Sequence, residues 1–331
     1  MASGIIKLDA AFIASGNAVG KKEYEGPLGA HFDIHDTDDR FGMNTWEQAE
    51  SEMQHLAFNM ALKKAEIAVE DIDAVFAGDL QNQCVGSSYG MLGSNIPYFG
   101  IYGACSTSGE GIMLASVMTT HGIFDRCAAV TSSHNCSAER QFRTPIEYGG
   151  QRTPTSQWTV TGAGAFIIGD GRSGKVRLRA GLPGKAIDKG ITDANNMGAA
   201  MAPAVCDTLV RFFNERRSRP DDYELILTGD LGHEGASILR ELMFTEGYEL
   251  GSNYTDCGIL IFDKNSQDTH SGGSGCGCSA SVLSAYILPE MESGSLKNAI
   301  FVASGALMSP DSIKQGKSIA GIGHLIEMDV R

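Results

Sequence analysis

Apolar and polar positions along the chain follow the patterns of helices and of strands, and one order of helix and strand occurs twice. Within residues 46–69 apolar side chains recur at helical spacing, which predicts a helix with one buried face. The residues at this spacing are Met53, Leu56, Met60 and Ile67. A short apolar strand follows at 71–80 and ends in Gly-Asp-Leu. A second helix, at 199–217, precedes a second strand, at 222–231, with the same ending.

Another pair of segments repeats in the same order. Residues 104–108, ACSTS, open a predicted helix that is followed by a strand at 128–132. Residues 277–281, GCSAS, open a helix that is followed by a strand at 300–304. Two ordered matches indicate that the chain is an internal duplication.

The repeat predicts the architecture. Near-continuous apolar strands that alternate with helices indicate sheets covered by helices on both faces. Two such halves packed together predict an α/β fold with five αβαβα layers, whose halves are residues 1–172 and 173–331.

Composition and charge argue against several classes of protein. The 331 residues carry a formal net charge of -14, with a pI near 5.0. This balance argues against binding to nucleic acid and against electrostatic docking on anionic lipid. The apolar runs fall short of the roughly 20 residues of a membrane-spanning helix. The first residues predict a strand rather than a signal peptide, because Lys7 and Asp9 interrupt their apolar stretch.

The eight cysteines predict free thiols. They include no C-x-x-C pair, and most lie inside apolar segments, which is typical of buried thiols in a reducing compartment. Cys276 and Cys278 are the closest pair, but no His or Cys stands at ligand spacing from them, so we expect a small-residue turn and no metal site.

Cys105 stands where an apolar run turns into a helix, in the sequence GACSTSGEG at 103–111. The positive end of a helix dipole and its unpaired N–H groups favour a thiolate, so Cys105 could be a nucleophile. The same turn, with Ser106 and Thr107, could hold an anion without chemistry. A buried thiol with neither role is the third interpretation.

Covalent catalysis would also need a general base. His134, His233 and His270 follow strands or stand in loops, where α/β folds place ligands, although each could equally be a solvated loop histidine. Asp79 and Asp230, in the two Gly-Asp-Leu endings, could serve only to form turns.

A long polar segment, 132–151, contains residues suited to a planar carboxylate. Arg guanidinium groups bind carboxylates in bidentate fashion. The candidates in this segment are His134, Asn135, Arg140 and Arg143. An alternative is that Arg140 pairs with Glu139 or Glu147 at a subunit interface.

These motifs resemble the thiolase-like condensing enzymes. Residues 103–106 are similar to their nucleophile turn, and 159–169 to the Gly-rich hairpin that ends their first half. Within that superfamily the chain most resembles the stage V sporulation protein AD family, over residues from about 14 to the end. The matching segments are GPLG at 26–29, GDL at 78–80, GACSTS at 103–108, TSSHN at 131–135, AERQFR at 138–143, EYGGQ at 147–151, GITD at 190–193, AMAP at 200–203 and GGSGC at 272–276.

The resemblance implies a role without catalysis. It implies binding of dipicolinic acid (pyridine-2,6-dicarboxylate), which accumulates with calcium in endospores, and uptake of that acid or its calcium complex. It further implies membrane-protein partners from the same stage V sporulation operon and a homodimer formed across an edge strand of the first half. The expected location is inside the sporulating cell, peripheral to the spore inner membrane, and no cofactor is expected.

The sequence departs from the catalytic pattern that the resemblance implies. Condensing enzymes of this fold that use a cysteine have a His after the strand equivalent to 225–228, but here the first histidine, His233, arrives several residues late. They have a His or Asn in the loop before the last long helix, whereas 272–276 contains neither. We therefore assign no catalytic residue and expect Cys105 to belong to a binding pocket.

In the expected pocket the N–H groups of residues 105–107 hold one carboxylate of dipicolinate, and an Arg or His of 134–143 holds the other. Met197 or Met201 lies against the ring. The full predicted ligand-binding set is Cys105, Ser106, Thr107, His134, Asn135, Arg140, Arg143, Met197, Met201, Asp230 and Ser274. Two alternatives remain: an active acyltransferase in which His233 or His270 moves in as the base, and a scaffold that docks to membrane partners.

Overall fold

The computed structural model describes residues 4–142 and 152–331. In these ranges the strands are β1 (Ile6–Val19), β2 (Ile34–His35), β3 (Ala74–Gly78), β4 (Tyr98–Gly100), β5 (Cys127–Ser133), β6 (Trp158–Thr159), β7 (Gly162–Asp170), β8 (Val176–Leu182), β9 (Leu225–Thr228), β10 (Tyr254–Asp256), β11 (Gly273–Ser274), β12 (Asn298–Leu307) and β13 (Ala320–Val330). The helices are α1 (Lys21–Tyr24), α2 (Trp46–Ala65), α3 (Val85–Gly90), α4 (Thr107–Thr120), α5 (Asn135–Phe142), α6 (Met197–Arg216), α7 (Gly232–Thr245), α8 (Cys257–Leu260), α9 (Cys276–Val282), α10 (Leu288–Ser293) and α11 (Pro310–Lys314).

The main sheet shows the duplication. Its strand order is β10-β9-β12-β13-β8-β1-β7-β5-β3-β4, and β8 and β1 join its two sides as an antiparallel pair. Outward from that pair, β7, β5, β3 and β4 on one side correspond to β13, β12, β9 and β10 on the other. On each side the outer strands are parallel and the inner pairs antiparallel. The predicted boundary after residue 172 lies in the turn between β7 and β8 and stays a prediction.

Helices cover the strands in the predicted five layers. Helix α2 packs outside β1 and β7, and α6 and α7 pack outside the second half. Helices α4 and α9 lie between the halves, and α4 contacts strands of both. Three hydrophobic clusters fill the spaces: a central one that includes Phe12 and Phe301, and one beneath each outer layer.

Two glycines permit close contact on opposite faces of the first half. A Cβ at Gly16 of β1 would lie 2.4 Å from the carbonyl oxygen of Ala57 in α2. A Cβ at Gly164 of β7 would lie 2.6 Å from the carbonyl oxygen of Ala280 in α9. Since real Cβ atoms do not approach this closely, both helices can sit on the sheet only because these positions are glycine.

Two of the predicted elements differ clearly from the observed ones. The predicted helix 46–69 ends at Ala65, because Glu66 turns left-handed (φ 56°) and caps it with an N–H bond to Leu62. The resemblance implied a hairpin at 159–169, which is wrong: β6 pairs with β11 in a separate two-stranded sheet, whereas β7 lies between β1 and β5. Within the described ranges, none of the helices has the length and apolar character needed to span a membrane.

Candidate functional site

Cys105 sits on a tight, strained turn. Ala104, just before it, has φ 53°, in the left-handed region that side chains with a Cβ rarely adopt. The Ser106 hydroxyl donates to the Gly103 carbonyl at 2.6 Å, and the Thr107 hydroxyl donates to the Ala104 carbonyl at 2.6 Å. These bonds offset the cost of the turn, since strained backbone persists only where its surroundings fix it.

The side chains of Ser106 and Thr107 are therefore part of the turn itself. Both residues are fully buried and neither lines the adjoining cavity. Their backbone N–H groups are also engaged, with the carbonyls of Gly103 (3.1 Å) and Ala104 (3.2 Å). Two of the three N–H groups expected to hold a carboxylate are thus bonded within the turn.

A cavity of about 70 Å³ opens beside the Cys105 thiol. It lies between the two halves, at the carboxyl ends of their strands, where α/β folds place ligands. Its lining residues are Leu80, Tyr102, Ala104, Cys105, Ala138, Glu139, Phe142, Thr159, Ala194, Asn195, Met197, Ser274, Ala306 and Met308. The lining is mostly apolar with a few hydroxyl and amide groups, and Glu139 is its one charged side chain among the described residues.

Asp230 is the polar partner of Cys105. It is buried beside the Cys105 thiol, where its carboxylate repels a thiolate. The carboxylate accepts from the Gly275 N–H (2.8 Å) and the Ser304 hydroxyl (2.8 Å), and it lies 3.4 Å from the Ser274 hydroxyl. Asp230 thus joins the loop after β9, the end of β12 and the loop before α9 behind the cavity.

This environment keeps the Cys105 thiol protonated. Burial raises the pKa of Cys105 well above its usual range, and the Asp230 carboxylate raises it further by repelling a thiolate. Burial also raises the pKa of Asp230. Since the thiolate is the nucleophilic form, the partner that the chain places beside Cys105 suppresses attack instead of promoting it.

His134 and Asn135 lie outside the cavity lining. His134 is buried between β5 and α5, with Nε2 2.8 Å from the Asp39 carbonyl and Nδ1 accepting from the Cys136 N–H at 3.2 Å. Burial lowers the pKa of His134, so the ring is neutral at pH 7. The Asn135 amide donates to the carbonyl of Thr159, which is a lining residue, at 3.2 Å.

Arg140 faces away from the cavity. Ala138, Glu139 and Phe142 of α5 line it, whereas Arg140 forms an ion pair with Glu47 of α2 and lines a separate cleft. Of the two glutamates that the sequence suggested as partners of Arg140, Glu139 lines the cavity and Glu147 lies outside the described residues, so that alternative stays a prediction. Arg143 lies outside the described residues.

The two predicted methionines lie in different parts of the structure. Met197, at the first turn of α6, lines the cavity, whereas Met201 is fully buried in the outer cluster of the second half. Of the predicted ligand-binding set, the structure therefore brings together Cys105, Met197 and Ser274 in the lining, with Asp230 directly behind them. The ligand roles of these residues stay predictions.

The two histidines proposed as alternative bases lie elsewhere. His233 and His270 line a different cleft with Lys264 and Asp268, and neither lines the Cys105 cavity. His270 Nε2 is 3.4 Å from the Asp268 carboxylate.

Several residues that line the Cys105 cavity were not among the residues predicted from the sequence. Tyr102 and Phe142 were near the motifs considered, three residues before Cys105 and one before Arg143. Asn195 and Met308 stand in loops far along the chain, with no local motif to indicate them.

Comparison with known proteins connects this chain to a family. The family model described as stage V sporulation protein AD matches residues 3–329. A relative from Bacillus subtilis (strain 168), also described as stage V sporulation protein AD, is 43% identical over 311 residues, which cover 94% of this chain and 91% of the relative.

Solved structures show the same fold at low identity. A 3-oxoacyl-[acyl-carrier-protein] synthase III from Aquifex aeolicus VF5 is 12% identical with a TM-score of 0.58, over 96% of this chain and 99% of that one. A variant of OleA from Xanthomonas campestris is 13% identical with a TM-score of 0.63, over 99% of both chains. These similarities establish a thiolase-like fold.

Proposed function

Because the chain belongs to the stage V sporulation protein AD family, we propose that it is a non-enzymatic binding protein for dipicolinic acid or its calcium complex. The ligand occupies the cavity beside Cys105, and binding supports its uptake into the developing endospore. The protein acts inside the sporulating cell, beside stage V membrane proteins at the spore inner membrane.

The observation that carries this proposal is the buried Asp230 carboxylate beside the Cys105 thiol, where it raises the pKa of that thiol. A condensing enzyme needs a thiolate and a neighbouring group that stabilises negative charge on the substrate oxygen. Here the neighbouring carboxylate opposes both requirements. The nucleophile turn is retained, but its surroundings favour binding over chemistry.

The cavity offers contacts suited to a flat pyridine dicarboxylate. Tyr102, Asn195 and Ser274 carry groups that can donate to carboxylate oxygens, and Met197 and Met308 offer polarisable thioethers to an aromatic ring. Because Glu139 is the one charged side chain among the described lining residues, the uncharged calcium complex also suits this cavity.

Thermal melting with millimolar dipicolinate tests the proposal, because a ligand that binds only the folded state raises the melting temperature. We expect dipicolinate, but not coenzyme A derivatives, to raise it, and Cys105→Ala to reduce the shift. Cys206→Ala, which removes another buried thiol outside the cavity, is the matched control and should leave the shift unchanged. Absence of a shift in the wild type would contradict the proposal.

One observation favours an acyltransferase as the second candidate: Cys105 stands on a left-handed turn directly before α4, in the fold of a 3-oxoacyl synthase III. Incubation with an acyl thioester, followed by intact mass measurement, separates the two functions. An acyl adduct on Cys105 would support the enzyme, and we expect none.

We further propose that the protein is a homodimer. Strand β4 ends the described sheet and is exposed, and large apolar side chains cluster on it and near it. They are Tyr89, Leu92, Tyr98, Phe99 and Tyr102. An open strand edge with such a surface suits pairing with a second copy.

A further inference from the structure

The cavity beside Cys105 is too small, as it stands in the structure, for a pyridine dicarboxylate. Its volume is about 70 Å³. An apolar cavity that binds benzene measures roughly 150 Å³. Dipicolinate carries two carboxyl groups in addition to an aromatic ring of the same size as benzene. A ligand of this size fits only if part of the cavity wall moves.

A second space lies directly beyond part of that wall. It has a volume of about 240 Å³, and we call it the outer cleft. Tyr102, Phe142 and Met308 line both the outer cleft and the Cys105 cavity, so these three side chains form the partition between them. Exposed Asn82 and Gln83 line the outer cleft and open it to solvent. Their amides can donate to carboxylate oxygens without adding charge.

The partition closes across the boundary between the two halves of the molecule. Phe142 belongs to the first half and packs against Leu80 and Ala138, whereas Met308 belongs to the second half and packs against its outer hydrophobic cluster. The Tyr102 hydroxyl has no hydrogen-bond partner in the part of the chain that the structure describes. Packing contacts therefore hold the partition closed, and within the described ranges no hydrogen bond has to break for it to open.

The backbone beside the two aromatic side chains is fixed. Next to Phe142, the side-chain amide of Gln141 bonds to two backbone groups of the loop after β3, at 2.9 Å and 2.8 Å. Tyr102 stands between Ile101 and Gly103, whose N–H groups donate to β3 at 2.9 Å and to α4 at 3.0 Å. Opening of the partition therefore requires rotation of a side chain and leaves the secondary structure in place.

Met308 is the member of the partition best suited to rotate. The next residue, Ser309, caps α11 by accepting the Ser312 N–H at 3.1 Å, so the backbone is held here too. The Met308 side chain is unbranched and has three rotatable bonds, whereas Tyr102 and Phe142 carry rigid rings. Met308 can thus leave the partition while the two rings stay in position.

We propose that the partition is a gate: the ligand enters through the outer cleft, and rotation of Met308 admits it to the Cys105 cavity. Rotation joins the two spaces and supplies the volume that the closed cavity lacks. Because aromatic rings bound the opening, the gate favours flat aromatic ligands, which can stack on Tyr102 or Phe142. The identity of the ligand as dipicolinate rests on the proposed function, but the gate can be tested without ligand.

Modification of Cys105 by thiol reagents of two sizes tests the gate, with peptide mass spectrometry as the readout. Methyl methanethiosulfonate is small, whereas N-ethylmaleimide carries a ring, and both react with the thiolate. In Met308→Ala we expect N-ethylmaleimide to modify Cys105 about tenfold faster than in the wild type, which corresponds to opening that is easier by about 1.4 kcal/mol. The smaller reagent should gain much less. A change in the pKa of the thiol would instead accelerate both reagents by the same factor.

Met60→Ala is the matched control, because Met60 is a half-buried methionine of α2 that lines neither space. It should behave as the wild type does, and buried Cys206 should stay unmodified in each variant, which excludes general loosening of the fold. Equal acceleration of both reagents in Met308→Ala, or no acceleration, would overturn the gate. If this variant does not fold, Phe142→Ala removes another member of the partition and is judged by the same two rates.

Stopped-flow mixing with dipicolinate separates this inference from the proposed function. We expect the association rate constant to be higher in Met308→Ala than in the wild type, because the ligand no longer waits for the gate to open. An unchanged rate constant would contradict entry through the outer cleft. Absence of dipicolinate binding in every protein would refute the proposed function, and the rates of Cys105 modification would still decide the gate.

Discussion

The buried Asp230 carboxylate limits the reactivity of the Cys105 thiol. A cysteine at the start of a helix would ordinarily be activated by the helix dipole. The dipole acts here against two larger effects, since Cys105 is removed from water and lies beside a carboxylate that repels a thiolate. The result is a thiol that can take part in binding but is poorly suited to attack.

The reactivity of Cys105 follows from this arrangement. We expect iodoacetamide at about pH 8 to modify half-buried Cys136 readily and to leave Cys105 almost unmodified. Asp230→Asn removes the repelling charge and should accelerate alkylation of Cys105, because loss of that charge lowers the pKa of the thiol. Peptide mass spectrometry gives both rates. Buried Cys206 should be unaffected by the substitution, and equal Cys105 rates in the two proteins would contradict the role of Asp230.

Glu23, in helix α1 directly after β1, is also a buried acid. Its Oε1 accepts the Thr161 N–H at 3.0 Å, whereas its Oε2 has no hydrogen-bond partner among the described residues. Burial raises the pKa of Glu23 from 4.5 to about 8. The folded state therefore binds the proton more tightly than the unfolded state does, and stability falls as the pH rises from 4.5 towards 8.

Glu23→Gln should remove this part of the pH dependence. The substituted amide keeps an oxygen for the Thr161 N–H and cannot ionise, so at about pH 9 we expect it to increase the free energy of unfolding by about 1 kcal/mol or more. At about pH 5 the gain should nearly vanish. Urea unfolding at both pH values measures the difference. Exposed Glu241→Gln is the control, and a gain that is the same at both pH values would show that ionisation is not its cause.

The helices and strands could be predicted from the sequence more completely than the residues that line the cavity. The repeated order of elements was readable because periodicity is local, and α2, α6, β5 and β12 appear where it placed them. The sequence did not indicate which side chains of α5 face the cavity. Arg140 points to Glu47, and the neighbouring Glu139 lines the cavity. That orientation depends on Ser137 bonding to Glu50, which lies 87 residues away.

The same limit applies to residues that distant loops bring together. The sequence predicts, from its resemblance to condensing enzymes, that the two catalytic partners are missing from the loops after 228 and 272. It did not show that Asp230, Ser274 and Ser304 would meet behind Cys105. Their contact arises from long-range packing within the second half, and the packing of the first half against it brings Cys105 to them, which no local pattern encodes.

The exposed edge of the sheet determines how two molecules would meet. Phe99 on β4 is 44% exposed and lies in the apolar surface proposed as the dimer interface. Phe99→Glu places a charge in that surface, so we expect the protein to become monomeric in sedimentation or light-scattering measurements. Phe244→Glu is the matched control, because Phe244 is 72% exposed on α7, away from this edge. A wild-type monomer, or a Phe99→Glu dimer, would contradict the proposed interface.

Calorimetric titration of dipicolinate into a protein whose cavity has been filled tests the central claim most directly. Ala306 lines the cavity and is 3% exposed, so Ala306→Leu occupies the proposed ligand space without altering Cys105. Ala65→Leu adds the same atoms at the end of α2 and is the control. We predict binding to the wild type and to the control, and an affinity lower by about 100-fold, or about 2.7 kcal/mol, in Ala306→Leu. Equal affinity in all three proteins would place the ligand outside this cavity and contradict the account.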